Sequence, residues 1–323
     1  MCSIPPHDHL PPRSTESAPQ RSDRPRLFAD NPPCPAGIVA VHGIGNNFGA
    51  GIDAPRSEEL RALKAALWAR HLSSGLAIAP DRLDLDFAFY ADKLAGKQVA
   101  QGAGDDGLLE DPLACEVLEG LARALGVPDE AAQGHAAIPL RTFSSWVARR
   151  FNLAEGPLRV FLRMWCSEVA TYLRAPDATE RLAAREEVAA RIARHRPRIV
   201  IAHSLGSVVA YEALHAHPEL QPELFLTLGS PLALPRVVFH RLVPTPRADG
   251  PDPRGARMPG GTRWVNIADP GDPVAVPPHL ARFFDGISLD HTTVVSGLFR
   301  FHHATSYLQS ATTAATVAPY LGV

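Results

Sequence analysis

The segment that most constrains the fold runs from Ile199 to Val209 and reads IVIAHSLGSVV. Its first residues are continuously apolar, which is typical of a strand buried on both faces of a parallel sheet. The residues that follow predict a helix through about His215. A strand that turns into a helix this abruptly places Ser204 on a strained, exposed turn, where strand and helix pass very close. The residues two before and two after the serine, Ala202 and Gly206, are accordingly small.

Short apolar runs elsewhere in the chain predict four more strands. They cover residues 37–41, 83–90, 224–228 and 263–267, besides the strand at 198–202. Helical patterns lie between and after them, at 57–73 with Ser57 as the N-cap, and at 108–125, 141–152, 157–174, 177–195 and 305–321. Buried strands that alternate with helices are typical of a mostly parallel sheet with helices on both faces. We therefore predict an α/β fold, whose active groups follow the carboxyl ends of the strands.

The 323 residues divide into a tail and one domain. Residues 1–35 are rich in proline and show little periodic hydrophobicity, so we predict a disordered N-terminal tail. Residues 36–323 are predicted to form one domain with a largely helical insertion at about 95–196, and residues 244–261 an irregular excursion. Within the insertion, the apolar pattern of 158–165 fits a core-packing helix, the commoner case, or a substrate-facing lid.

The charge balance and the cysteines exclude several classes of partner. Lysines and arginines number 32 against 34 acidic residues, a net charge of −2, so no surface for nucleic acid or anionic membrane is indicated. No apolar run is long enough to span a membrane, and the N-terminus lacks the pattern of a signal peptide. The four cysteines form no C-x-x-C pair, which indicates free thiols rather than a zinc site. We expect a cytoplasmic protein without metal.

The A-x-S-x-G pattern around Ser204 resembles the nucleophile elbow of the α/β-hydrolase superfamily, with Ala202 where glycine is commoner. Four further segments are similar to a poorly characterised, esterase- and lipase-like bacterial branch of that family. They are VHGIG at 41–45, FYAD at 89–92, TLGSP at 227–231 and the segment 263–275. The resemblance covers roughly residues 37–323, and it implies the α/β-hydrolase fold with a helical cap or lid.

The resemblance also implies a catalytic acid after a later strand and a catalytic histidine near the C-terminus, in the order Ser, acid, His. Asp272 follows the 263–267 strand and precedes Val274 as in the family pattern. Asp269 is its competitor, with an Asx turn at the end of the strand as the alternative role for this residue. For the base, an H-x-A-x-x-Y-L pattern selects His302. His303 is the alternate and His291 a weaker third candidate.

Acyl transfer also needs backbone N–H groups that bind the oxyanion. One is predicted at Leu205, directly after the nucleophile. The other follows the first strand, where HGIG at 42–45 resembles the oxyanion segment of esterases and lipases. Within this segment the Ile44 amide is our first choice as donor and the Gly43 amide our second. We expect His42 to fix the loop. A dinucleotide-binding loop is disfavoured because Phe48 stands where G-x-G-x-x-G needs its third glycine.

The sequence therefore predicts a serine hydrolase that cleaves a carboxylic ester or thioester through Ser204, His302 and Asp272, with no cofactor. Its expected partner is a small-molecule acyl substrate. Two alternatives stay open: a binding or scaffold module that keeps the fold without the catalysis, and an acyltransferase that passes the acyl group to an alcohol or amine instead of water.

Overall fold

The computed structural model describes residues 37–45, 54–94, 111–128, 139–295 and 302–322. The tail predicted at 1–35 lies outside these ranges. Six strands form one sheet, and every neighbouring pair in it is parallel. The strands are β1 (Ile38–Val41), β2 (Leu85–Ala88), β3 (Ile199–His203), β4 (Leu224–Leu228), β5 (Arg263–Ala268) and β6 (Ile287–Thr292). The predicted α/β class with a parallel sheet is confirmed.

Helices cover both faces of this sheet. They are α1 (Ala54–Leu76), α2 (Pro112–Leu125), α3 (Leu140–Phe151), α4 (Glu155–Leu173), α5 (Thr179–His195), α6 (Leu205–Ala216), α7 (Ala304–Gln309) and α8 (Ala311–Leu321). One apolar core joins the sheet to residues of α2 to α6, and a second core joins the opposite face to α1, α7 and α8. No helix within the described residues is both long and apolar enough to cross a membrane.

Strand β3 shows why the central strands read as continuous apolar runs. Ile199 and Ile201 belong to the core with α1, α7 and α8, whereas Val200 and Ala202 belong to the core on the other face. All four side chains are fully buried. Successive side chains of a strand point to opposite faces, so a strand covered on both sides needs apolar residues at every position.

The strand order is β2-β1-β3-β4-β5-β6, and this order locates the site. From β1 the chain moves first to β2 on one side and later to β3 on the other. Beside a reversal of this kind, the loops at the carboxyl ends of two adjacent strands diverge and leave a crevice, where ligands bind in open α/β sheets. Here the two loops are His42–Gly45 after β1 and the turn at Ser204 after β3.

The predicted elements differ from the structure in four places. Strand β6 was not predicted, because at the sheet edge ISLDHT is half-buried and lacks a clear apolar run. Helix α1 begins at Ala54, so the predicted N-cap Ser57 lies inside it. Helix α4 begins at Glu155 and holds Pro157 in its first turn, where a missing N–H costs nothing. The terminal helix breaks at Ser310, whose hydroxyl accepts from the Thr313 amide and caps α8.

Candidate active site

Ser204 lies on the turn between β3 and α6, in a backbone conformation that few residues adopt. Its φ and ψ are 54° and −133°. For a residue other than glycine such a conformation costs about 1–3 kcal/mol, and it persists only where the surroundings enforce it. The Ser204 amide donates to the carbonyl of Leu228 at 3.1 Å, and the Ser207 hydroxyl donates to the Ser204 carbonyl at 2.6 Å. Both flanks of the turn are thus held in place.

The small residues around the serine have the close packing that the sequence predicts. A Cβ atom on Gly206 would collide with the carbonyl oxygen of His42, so α6 passes directly against the loop after β1. Ala202, which replaces the commoner glycine, is fully buried in β3. The methyl group of Ala202 is therefore accommodated, whereas any side chain at Gly206 would displace backbone.

The structure brings Ser204, His302 and Asp272 into one chain of hydrogen bonds. The Ser204 hydroxyl donates to Nε2 of His302 at 2.6 Å. Nδ1 of the same ring donates to the two carboxylate oxygens of Asp272 at 2.7 and 2.9 Å. Because a carboxylate only accepts hydrogen bonds, these partners assign the tautomer with the proton on Nδ1. All three residues are at most 5% exposed, so the hydrogen bonds lie away from bulk water.

Several donors fix the carboxylate of Asp272. The Val274 and Ala275 amides donate to Oδ1 at 2.9 and 3.4 Å, and the Tyr307 hydroxyl donates to Oδ2 at 2.8 Å. Gly229 leaves the necessary space, because a Cβ there would lie 2.8 Å from Asp272 Oδ2. The carboxylate therefore has a fixed orientation toward the histidine ring.

The competing candidates lie elsewhere. Asp269 accepts from the Gly271 amide at 2.8 Å, which forms an Asx turn, and from the Val295 amide at 3.0 Å. His303 is exposed at the N-terminus of α7. His291 lies in the edge strand β6, paired with Ile267. Among the predicted acids and bases, Asp272 and His302 are hydrogen-bonded to one another, and His302 is also bonded to the serine.

Tyr307 and His203 are among the residues of the site that were not predicted from the sequence. The Tyr307 hydroxyl accepts from the Asp269 amide at 3.0 Å and donates to the carboxylate of Asp272. It therefore connects the start of the loop after β5 with the aspartate three residues later. The H-x-A-x-x-Y-L pattern contained it but gave it no role. His203, adjacent to Ser204, is buried with its ring centroid 4.7 Å from that of His302. Burial, and then the charge of His302, hold its pKa well below the usual value, so this ring is neutral.

The loop after β1 is held by His42, as the sequence suggests. Nδ1 of His42 donates to the Gly43 carbonyl at 2.6 Å, and Nε2 accepts from the Tyr90 amide at 3.2 Å. The Tyr90 hydroxyl donates to the His42 carbonyl at 2.9 Å, and the two rings stack with centroids 4.2 Å apart. Burial lowers the pKa of His42 to about 4, although its hydrogen bond to Gly43 opposes the shift. A neutral ring is required because Nε2 acts as an acceptor.

The same loop lies against the nucleophile. A Cβ on Gly43 would lie 2.6 Å from Cβ and 3.2 Å from Oγ of Ser204, so no larger residue fits there. Leu205, on the other side of the serine, is the first residue of α6, and the first amides of a helix have no acceptor within it. The two segments predicted to carry the oxyanion donors, at Ile44 and Leu205, therefore flank Ser204.

Helix α4 covers this end of the sheet. The Phe161 ring meets the His302 ring edge-on, with centroids 5.3 Å apart. Two turns later, Glu168 Oε1 accepts from the Gly45 amide at 3.1 Å. Burial raises the pKa of Glu168 to about 7, and the bond from Gly45 partly offsets that shift. One helix thus contacts both the histidine and the loop after β1.

The arrangement pairs a serine hydroxyl with an imidazole nitrogen, and the other nitrogen of that ring is held by a buried carboxylate. Such a group can accept the serine proton as the oxygen attacks an electrophile. Within the ranges that the structure describes, no three His, Cys, Asp or Glu side chains group as metal ligands. Neither a scan against models of known protein families nor a search of curated proteins finds a match to the chain.

Proposed function

We propose that this protein is a serine hydrolase of the α/β-hydrolase fold that cleaves a carboxylic ester or thioester. The observation that supports the proposal most strongly is the continuous hydrogen-bond chain from Ser204 through His302 to Asp272. It lies where the strand order reverses, at the carboxyl ends of parallel strands. The positive φ of Ser204 further supports the role of nucleophile, since strained backbone concentrates at functional sites.

In the proposed acylation, Ser204 Oγ attacks the carbonyl carbon of the substrate as its proton passes to Nε2 of His302. The resulting imidazolium keeps its Nδ1–H directed at Asp272, whose buried carboxylate stabilises the new positive charge. The tetrahedral intermediate collapses, the bond to the leaving group breaks, and His302 returns the proton to the departing alkoxide or thiolate. The product is an acyl-Ser204 ester and a free alcohol or thiol.

The charge that develops on the carbonyl oxygen needs donors that are in place before the reaction. In the proposed site these are the backbone amides of Leu205 and Ile44. Leu205 is the first residue of α6, so the positive end of the helix dipole adds to the stabilisation of the oxyanion by the Leu205 amide. The contact between Gly43 and Ser204 keeps the Ile44 segment beside the nucleophile. Donors of this kind contribute about 10²–10³ in kcat each.

Deacylation repeats the cycle with water. His302 removes a proton from the water as its oxygen attacks the acyl carbon, and then protonates Ser204 Oγ as the ester bond breaks. The products are the free carboxylic acid and the resting serine. The proposed steps draw on water and groups of this chain.

The helical segment between β2 and β3 is proposed to act as the cap that shapes substrate recognition. Its helix α4 contacts His302 through Phe161 and exposes two large apolar side chains on the same half, Val160 at 59% and Met164 at 41%. The α4 residues Leu158, Leu162 and Trp165 are fully buried in the core, so this helix packs as part of the domain. An apolar, uncharged acyl group fits such surroundings better than a charged one.

The proposal is tested by turnover of a short-chain p-nitrophenyl ester. Ser204→Ala should abolish turnover while the thermal unfolding midpoint stays close to that of the unmutated protein. Ser145→Ala is the matched control, because its hydroxyl bonds the side chain of Glu155 at the surface and belongs to none of the proposed catalytic groups. Turnover that survives in Ser204→Ala would refute the assignment.

A further inference from the structure

Glu168 is a polar group of the site that the proposed chemistry does not use. It lies on α4, seven residues after Phe161, and seven residues are about two helical turns, so the two side chains share one face. Phe161 meets the ring of His302, and Glu168 meets the amide of Gly45. The face of α4 that contacts the base therefore also contacts the loop after β1.

The loop after β1 is held at its two ends by different parts of the chain. At the first end, Tyr90 bonds both the carbonyl and the ring of His42. At the second end, Gly45 has a φ of 74°, and its amide donates to Glu168 at 3.1 Å. Ile44, whose amide is the proposed oxyanion donor, lies between these two attachments. Because each peptide unit is a rigid plane, the direction of the Ile44 N–H is set by the backbone dihedrals on either side of it, and the two attachments restrict those dihedrals.

The Glu168 side chain is suited to this attachment because its carboxyl oxygen accepts the hydrogen bond from the Gly45 amide, as the oxygen of a glutamine amide at the same position could. At the other end of the loop, the amide and hydroxyl of Tyr90 hold His42, so the two attachments brace a short segment of backbone.

We propose that Glu168 is a positioning residue, which orients the Ile44 amide toward the oxyanion by bonding the amide of Gly45. This inference rests on the proposed function, because it assigns Glu168 a part in stabilising the same transition state. It also gives α4 a role beyond covering the site. The helix would hold the oxyanion loop through Glu168 and the base through Phe161, so it fixes the distance between them.

The test compares three variants in steady-state turnover of a short-chain p-nitrophenyl ester. Glu168→Ala removes the acceptor of the Gly45 amide. We expect kcat to fall about tenfold or more, which is less than the loss of about 10²–10³ in kcat when an oxyanion donor is removed. KM should change less than about threefold. Glu168→Gln keeps an oxygen that can accept from Gly45 and should retain kcat within about threefold. Thr171→Ala, on the same helix, removes a hydroxyl that bonds the Ser167 carbonyl within α4, and kcat should stay unchanged.

The outcomes separate this inference from the proposed function. If the unmutated protein and Ser204→Ala are equally inactive, the proposed function fails and the inference fails with it. If Ser204→Ala is inactive but Glu168→Ala keeps the unmutated kcat, only the role of Glu168 is overturned. Equal losses in Glu168→Gln and Glu168→Ala would also overturn it, because the acceptor oxygen would then be irrelevant.

A fourth variant covers the case in which Glu168→Ala does not fold. Glu168→Asp keeps the charge but shortens the side chain by one methylene, which withdraws the oxygen from the Gly45 amide. Its kcat is predicted to fall, again with little change in KM. An unmutated kcat in Glu168→Asp would contradict the proposed geometry.

Discussion

The Tyr307 hydroxyl donates a hydrogen bond to Oδ2 of Asp272 at 2.8 Å and accepts one from the Asp269 amide at 3.0 Å. Tyr307 belongs to α7, five residues after His302, so the helix that follows His302 also orients Asp272. Burial, and then the charge of Asp272, raise the pKa of Tyr307 well above its usual value, which keeps the phenol protonated as a donor. The hydrogen-bond chain from Ser204 through His302 to Asp272 thus continues to Tyr307, which is itself held by the Asp269 amide.

Tyr307→Phe should weaken both the site and the fold. A hydrogen bond to a charged group contributes about 1.5–3 kcal/mol, so we expect kcat to fall by about tenfold. The Asp269 amide also loses its buried acceptor, and the free energy of unfolding should fall by about 1–2 kcal/mol. Ester turnover and urea denaturation measure the two effects. Tyr320→Phe is the control, since Tyr320 is partly exposed on α8; equal losses in both variants would contradict the role of Tyr307.

Gly206→Ala should destabilise the protein strongly, because a Cβ at this position collides with the backbone carbonyl of His42. Backbone cannot move aside as a side chain can, so we expect a loss of about 2–3 kcal/mol in the free energy of unfolding. Gly156→Ala is the matched control in the first turn of α4, where a Cβ would meet nothing within 4 Å. It should be neutral or slightly stabilising, and a loss as large as that of Gly206→Ala would refute the packing argument.

His42 should make the protein sensitive to acid. Its pKa is about 4 when folded and 6.5 for the unperturbed group, so between these values the unfolded chain binds a proton that the folded chain does not. The stabilisation is complete above pH 6.5 and disappears as the pH falls toward 4, with a limit on the order of 3 kcal/mol. Urea denaturation at pH 7 and pH 5 should show a smaller difference for His42→Asn than for the unmutated protein. An equal difference would show that His42 does not carry the effect.

Glu212→Gln should cost more stability than a surface variant of the same kind. Glu212 accepts from Arg181, from the Tyr172 hydroxyl at 2.8 Å and from the Val243 amide at 3.0 Å, and Arg181 and Glu212 are both fully buried. Removing the charge leaves Arg181 uncompensated, which costs about 3–5 kcal/mol. Glu186→Gln, which weakens an exposed pair with His217, should cost less than about 1 kcal/mol. Similar losses in thermal or urea unfolding would contradict this reading of the buried pair.

The sequence predicted the elements whose signal is local and strong. Strand β4 was predicted at its observed bounds, because a buried strand is a continuous run of apolar residues. Helices α2 to α5 were predicted to within four residues at each end, because apolar residues recur every three to four positions along an amphipathic helix. Strand β6 gave no such signal. It forms at the edge of the sheet because it pairs with β5, and this tertiary contact leaves no local pattern in the sequence.

The turn at Ser204 was predicted because residue spacing constrains the backbone there, whereas Asp272 and His302 were predicted from the resemblance to a family. The turn at Ser204 followed from a strand that ends at the start of a helix, and the structure places Asp272 and His302 beside it. Glu168 and Tyr307 could not be given roles from the sequence. Glu168 meets Gly45 across a separation of 123 residues, and no spacing rule connects a helix of the insertion with the first loop.

The most direct test of the central claim is covalent labelling by a fluorophosphonate probe, read by intact mass and peptide mapping. If Ser204 is the nucleophile, the unmutated protein should gain one adduct, located on Ser204, and Ser204→Ala should gain none. His302→Ala should label far more slowly, because the hydroxyl then has no base. An unmutated protein that takes up no probe, or a Ser204→Ala variant that labels at the same rate, would contradict the account.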